Sequence, residues 1–535
     1  MEDSGKKKEK IRIFDTTLRD GQQCPGAGLN FEQNLEYAHL ASALGVDVLE
    51  AGFPSASASD FEIVKVISDE ITRSDAGLYV AGLCQLRDEQ IDSTMEALEP
   101  ALRKRRALLH TYVPVSPDLM EASLGDKANK KVIVENVSRF IKRATSSGFE
   151  VEFSPEGYSR QGENFDFVTD LILAAVESGA GIINCPDTIG GGIMYQGEEY
   201  FVNKMNRHAS MVREAFPHAP VIWSAHCHND FGLAVHNSIA SVYDGPARQI
   251  EGCINGIGER AGNAALESVI MIIKEFGSLE SLHSYFYTDI DISMLTQVSD
   301  FVSKHMLPRQ PHWPVTGENA AKHSSGGHTN AVLQNPLAYQ PFDPRKTGKD
   351  ISIVFGPLSG GNHAKSIINE YGFVCEDSEK ADIAQYIKVT FSERRKGITD
   401  QELMRGYFKY RAPVSIDSFD YSRSASKVEL TLQGKVFDRV GEIKEEYQGR
   451  DSALAALKKL VDPYFPSSIL SHRSESDREG IEAESISKIR IVYNEQEFEG
   501  EGRDSDIEIS ALKAFIDAVN TGYVVSNYRL HNERS

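Results

Sequence analysis

Two histidines two residues apart, His226 and His228, close the apolar run PVIWSAHCHND (220–230). In an extended strand residues i and i+2 face the same side, so both imidazoles can address one point and share one metal ion. Cys227 lies between them and faces the other way. A pair of core or solvent-facing histidines would have the same spacing. The metal reading gains its weight from acidic and amide groups at the ends of other strand-like runs. Asp20 supplies a carboxylate, and Asn263 an amide oxygen or a supporting hydrogen bond. A mixed oxygen and nitrogen set with open positions suits a divalent Lewis-acid ion (Mn²⁺, Mg²⁺ or Zn²⁺), not a closed, thiolate-rich structural zinc site. Arg19 adjoins Asp20 and can make a charge-assisted bond to an oxygen that gathers negative charge.

These residues need a scaffold that gathers strand ends. Short apolar, β-branched runs at 11–18, 46–54, 78–85, 106–115, 149–156, 181–188, 220–230 and 249–260 read as strands. Helical periodicity fills the intervals, at 31–44 (stopped by Gly45), 60–72, a stretch through Leu98, about 127–146, 165–178, 195–215, 231–243 and 264–276. Eight strand–helix repeats predict an α/β fold, a closed (β/α)8 TIM barrel. A doubly wound open sheet would carry a glycine-rich phosphate loop after its first strand, and LRDGQQCPG is a poor match to GxGxxG. In such barrels chemistry sits where strands end and loops begin. Arg19, Asp20, Glu50, His110, Ser154, Glu156, Thr188, His226, His228, Glu259 and Asn263 all fall there.

The chain has 535 residues, more than one domain needs. Residues 1–276 form the predicted catalytic barrel. Residues 277–384 read as a helical connector with short helices and the polar segments VTGENAAKHSSGGHTN and YQPFDPRKTG, too irregular for a core of its own and suited to packing on a second subunit. Residues 385–535 read as an α+β domain. The echo between GRDSALAALKKLVD and GRDSDIEISALKAFIDAV predicts an internal duplication of strand, strand, helix, its halves joined by a mobile Ser/Glu-rich linker from Pro466 to Ser485. A net charge of −21 argues against nucleic acid or an anionic membrane as partner, and means that an anionic substrate must meet a local positive site. Six scattered cysteines with no CxxC, five of them in or beside apolar strand-like runs where a buried free thiol is the default, predict a reducing cytoplasm. The basic start MEDSGKKKEK lacks the apolar stretch of a signal peptide, and no run approaches a membrane span.

FDTTLRDGQQ, SAHCHNDFGLA, INGIGERAGNAALE and VTGENAAKHSSGGHTNAVLQNP, spread over residues 11–345, resemble the motifs of the DRE-TIM metallolyase family, and the last those of its Claisen-condensing branch of 2-isopropylmalate and homocitrate synthases. The C-terminal duplication is similar to the allosteric domain of the 2-isopropylmalate synthase family. The resemblance implies an acyltransferase that condenses acetyl-CoA with a 2-oxo acid on a divalent metal and then hydrolyses the thioester. It implies Asp20, His226, His228 and Asn263 at the metal and Arg19, Glu259, His328 and Tyr339 in catalysis. Arg19, Ser154, Glu156 and Thr188 then lie at the 2-oxo acid. The connector, with His328 and Tyr339, would reach the neighbouring subunit of a homodimer, and leucine would be an effector near Gly502–Asp506. His110 reads as a core or rim histidine, and His323 matches a family position without an assigned role. Leu119 stands where many relatives have histidine, and PDTIGGGIM where they read PDTVGYTTP. An apolar Leu119 fits the branch of 2-oxoisovalerate, and so leucine biosynthesis, better than the acidic tail of 2-oxoglutarate. Citramalate or homocitrate synthesis, or carbon–carbon cleavage by a lyase of the same family, are the other readings.

Overall fold

The computed structural model describes residues 6–73, 77–125, 128–393, 397–424, 426–448, 452–476 and 484–530. Residues 1–5 of the basic start, the GRD of the first echo (449–451) and residues 477–483 of the Ser/Glu-rich stretch lie outside them. The chain forms two compact units, residues 1–321 with 340–351, and residues 322–339 with 352–535.

The first unit is a closed parallel barrel of eight strands. They are β1 (Arg12–Asp15), β2 (Val48–Glu50), β3 (Tyr79–Gln85), β4 (Ala107–Pro114), β5 (Glu150–Glu156), β6 (Ile182–Asp187), β7 (Ile222–Cys227) and β8 (Ala247–Gly252), closed by β8 pairing with β1 at Phe14 and Glu251. The (β/α)8 expectation holds. Its first helix runs Phe31–Leu44, begins with an Asn30–Gln33 capping box and ends at Gly45 in the left-handed conformation (φ 86°). The helix expected at 195–215 starts later, at Phe201, because Gly197 adopts φ 61° and breaks the preceding turn.

Alternation along the strands decides what lies inside. Phe14, Val48, Ala81, Leu108 and Ile182 form a buried cluster of their own, joined by Tyr79 and Ile222, which fills the bottom of the barrel. Two residues further along, the same inward rows carry Thr16, Glu50, His110, Asn184 and Ser224. The outward rows and the helices make the main core, which includes Cys84, Cys185, Cys227 and Cys253. All six cysteines are free thiols and only Cys24 is not buried.

The connector expectation needs correction in two places. Phe286, Ile290, Leu295, Val298, Phe301 and Val302 join the barrel's own core, so residues 277–306 pack on the barrel of the same chain. Further on, helices Gly361–Glu370, Lys380–Thr390 and Asp400–Arg411 share a core of Phe355, Ile367, Ile368, Ile383, Ile387, Leu403 and Tyr407, closed by Val524. The missing partners for 352–384 lie after residue 384, which is why that segment looked coreless in isolation.

The C-terminal part repeats strand, strand, strand, helix. Val414–Arg423, Lys427–Val436 and Arg439–Gln448 form one antiparallel sheet followed by helix Ala453–Val461; Ser468–Ser476, Ser485–Tyr493 and Gln496–Asp504 form the other, followed by helix Ile507–Tyr528. Both halves share one core. The sequence reading lacked the first strand of each half and took residues 468–476 for linker. That segment is an edge strand, exposed over most of its length, so its serines and charges face water without breaking the ladder to Ser485–Tyr493. No helix among the described residues is long and apolar enough to cross a membrane.

Candidate active site

The C-terminal ends of the barrel strands open into a cleft of about 240 Å³. Arg19, Asp20, Ser154, Glu156, Thr188, His226, His228 and Glu259 line it together, and Asn263 bonds Asp20 from beneath. The turn after β1 sets the first two. The Asp15 carboxylate accepts from the Thr17 amide at 2.9 Å and from the Tyr37 hydroxyl at 2.6 Å, which ties the turn to the first helix. Thr16 Oγ1 donates to Glu50 Oε2 at 2.6 Å. Arg19 is then held from two sides, Nε donating to Glu50 Oε2 and Nη1 to Asp20 Oδ2, each at 2.6 Å. A guanidinium has five N–H donors in a rigid fork, so donors remain for a bound oxygen.

Asp20, His226 and His228 place one ligand atom each within 4.8 Å of one another, all buried. The two Nε2 atoms face each other at 3.3 Å, and His226 Nε2 lies 3.8 Å from Asp20 Oδ2. Burial pushes the Asp20 carboxyl up, but Arg19, then His226 and His228, and the Asn263 amide hold it well below the usual range. Burial and neighbouring cations push both imidazoles down to about 4, so both are neutral near pH 7. Asn263 Nδ2 donates to Asp20 Oδ1 at 2.7 Å and to the Ile257 carbonyl at 3.1 Å, while among the described residues its buried Oδ1 has no partner, nor has His228 Nδ1. A side chain at residue 258 would put its Cβ 2.2 Å from Asn263 Nδ2 and 2.8 Å from Asp20 Oδ1; Gly258, at φ 150°, leaves that space clear. Converging neutral nitrogens, one carboxylate and an orphaned amide oxygen fit a divalent cation.

The remaining residues form the walls. Thr188 Oγ1 accepts from the Gly157 amide at 2.9 Å, tying the loops after β5 and β6. Arg260, in the left-handed region at φ 55°, is bidentate to Asp230 (2.9 and 3.0 Å) and donates to the Thr188 carbonyl at 2.7 Å. This clamp fixes the loop that carries Glu259. Burial raises the Glu156 carboxyl, against the pull of Arg19. His110 is buried and also lines the cleft. Its Nδ1 lies 2.7 Å from Glu50 Oε1 and its Nε2 2.8 Å from Ser154 Oγ, so it links the Arg19 anchor to the cleft wall. Burial lowers it, but the Glu50 carboxylate prevails and raises it from 6.5 to about 9. A raised imidazole contributes stability that is whole below about pH 6.5 and is lost as pH climbs through about 9. Replacing Glu50 with glutamine will bring the His110 pKa below 7, read from the pH dependence of its ring resonances; a value still near 9 would show that Glu50 is not its charge partner.

His323, His328 and Tyr339 belong to the second unit. There the His328 and Tyr339 rings stack with centroids 3.9 Å apart, and His323 lies 6.2 Å from the one and 6.5 Å from the other. Four buried polar residues beneath the cleft were not anticipated: Glu152, Asn184, Gln249 and Glu251. Each sits on an inward row, two or four residues before a cleft residue or beside one in a paired strand.

A closed (β/α)8 barrel whose strand ends gather an aspartate, two histidines and an immobilised arginine has the layout of a barrel enzyme's active site. The HMGL-like profile matches residues 10–302, the homocitrate synthase post-HMGL domain-like profile 315–395 and the LeuA allosteric (dimerisation) domain 408–523. The 2-isopropylmalate synthase of Neisseria meningitidis serogroup B is 32% identical over 522 residues, covering 96% of each chain. That of Rhodopseudomonas palustris (strain BisB18) is 33% identical over 527 residues, covering 96% of this chain and 95% of its own. The chain belongs to the HMGL-like family and, within it, to the 2-isopropylmalate synthases, a family of transferases.

Proposed function

We propose that the protein condenses acetyl-CoA with 2-oxoisovalerate and hydrolyses the CoA thioester, giving 2-isopropylmalate and free CoA in leucine biosynthesis. The observation that carries this reading is Arg19, fixed by Glu50 and Asp20 at the edge of the Asp20–His226–His228 cluster. A divalent ion held by Asp20, His226 and His228, with Asn263 as ligand or support, would supply Lewis-acid polarisation of the 2-oxo acid. Arg19 donates to the ketone oxygen as it gains charge, without reorganising. Glu259, about half exposed in the cleft, takes a proton from the acetyl methyl group, aided by His328 and Tyr339. The methyl carbon then bonds to the ketone carbon, which becomes an alcohol, and water cleaves the thioester. In a homodimer His328 and Tyr339 serve the barrel of the neighbouring subunit, as the family resemblance implies.

The cleft favours an apolar branch on the 2-oxo acid. Its cationic lining residues are Arg19, His110 and Arg260, and each already has a carboxylate partner. Leu83, Tyr112 and Pro186 offer apolar surface, and a second substrate carboxylate would meet Glu156 and Glu259. Thiol release from acetyl-CoA with a series of 2-oxo acids tests this. We expect the highest kcat/KM with 2-oxoisovalerate, with pyruvate, two methylene units smaller, lower by at least about 100-fold, since each unit in an apolar pocket is worth about 10-fold or more. Absence of thiol release with every 2-oxo acid would overturn the synthase reading.

The C-terminal duplication is assigned to regulation by leucine in the cytoplasm. Around Gly502–Asp506, Asp506 Oδ1 accepts from the Glu508 and Ile509 amides at 2.7 and 3.2 Å, and Lys513 pairs with Asp504 at 2.7 Å. Millimolar leucine is expected to lower the rate; an unchanged rate would remove the effector role.

A further inference from the structure

Glu251 lies directly behind the histidine pair and the reaction just described does not use it. It is fully buried on the inward row of β8, two residues after Gln249. Its Oε2 lies 3.0 Å from His226 Nδ1, and its Oε1 accepts from Ser224 Oγ at 3.4 Å. Glu152 adjoins it, with one ligand atom each of His110, Glu152 and Glu251 within 4.8 Å of one another. Gln249 Nε2 in turn donates to both oxygens of Glu152, at 2.9 and 3.1 Å, and to Ser224 Oγ at 3.1 Å. Glu152, Ser224, Gln249 and Glu251 are all at 0% exposure, so this floor has no solvent to relax into.

We propose that Glu251 is a positioning residue that fixes which nitrogen of His226 faces Asp20 and His228. Burial raises both carboxyls of the Glu152–Glu251 pair, Glu152 the further, so the proton of the pair sits on Glu152 and leaves Glu251 a carboxylate. A neutral imidazole carries one N–H, and a carboxylate only accepts. The hydrogen therefore sits on Nδ1, donated to Glu251, and Nε2 presents its lone pair towards His228 Nε2 at 3.3 Å. Without Glu251 either nitrogen can carry the hydrogen, and nothing else bonded to Nδ1 holds the ring plane. Carboxylates are costly to bury, and a partner behind a ligating histidine repays that cost through ring orientation and ligand basicity. The inference rests on the reading of Asp20, His226 and His228 as a cation site, but its first readout does not depend on any ion.

The test uses the full-length chain, ion-stripped, with ¹⁵N-labelled histidines, and assigns His226 by loss of its signals in His226→Gln. The native protein should show a single neutral tautomer with Nδ1 protonated. Glu251→Leu should give a mixture or the Nε2–H form and weaken Mn²⁺ binding by about 10–100-fold. Glu251→Gln, whose amide oxygen still accepts, should keep the native tautomer and bind Mn²⁺ with intermediate strength. An Nε2–H tautomer in the native chain, or Mn²⁺ binding in Glu251→Leu as tight as native, would overturn the proposal. Should Glu251→Leu not fold, the native and Glu251→Gln tautomers decide. The expected tautomer in a native chain that does not bind Mn²⁺ would uphold the role of Glu251 and instead remove the cation site.

Discussion

Arg19→Lys will leave the protein folded and lower kcat/KM by about 10²–10³-fold, the loss seen when one preorganised oxyanion donor is removed. The reason is geometric. The Arg19 fork bonds Glu50 through Nε and Asp20 through Nη1 and still has N–H groups to offer. An ammonium on a flexible stem cannot span both carboxylates and address a third oxygen with the same rigidity. Glu50, held down to about 2 despite burial, keeps a cationic neighbour in the lysine variant, so stability should change little. Arg19→Ala would add a stability loss, since it leaves two buried carboxylates short of their main counter-charge. Steady-state kinetics with matched thermal melts separate the two effects. A lysine variant within threefold of native activity would show that Arg19 is only a structural ion-pair partner.

Removing divalent ions with a chelator will abolish thiol release, and Mn²⁺, Mg²⁺ or Zn²⁺ will restore it to different extents. The two Nε2 atoms lie 3.3 Å apart, where at most one N–H can lie between them, so an ion that takes both lone pairs relieves their crowding. An ion at about 100 times its Kd would add about 2.7 kcal/mol of stability, so the melting temperature should rise on re-addition. His228→Ala should remove both responses. Full turnover in protein shown by elemental analysis to be free of metal would sink the assignment of Asp20, His226 and His228.

Much of this site was legible because strands obey a period of two. His226 and His228 share a face for that reason alone, and so do Ser154 and Glu156. Counting back by the same step would also have led from His226 to Ser224, and from Ser154 to Glu152. Those residues sit inside apolar runs, where a lone polar side chain is easily taken for an outward-facing one. Glu251 and Gln249 were hidden by a different cause: their partners come from other strands, His226 through the pairing of β7 with β8 and Glu152 from across the barrel. The C-terminal half was harder still. Its edge strands, Val414–Arg423 and Ser468–Ser476, carry little apolar alternation because one side of each faces water. The core of helices 361–370, 380–390 and 400–411 borrows Val524 from more than a hundred residues away, a contact no local pattern announces.

The apolar plug of Phe14, Val48, Ala81, Leu108 and Ile182 makes the barrel a vessel with one doorway. A small molecule that reaches Asp20 and the two histidines must therefore come and go by the loop end of the strands.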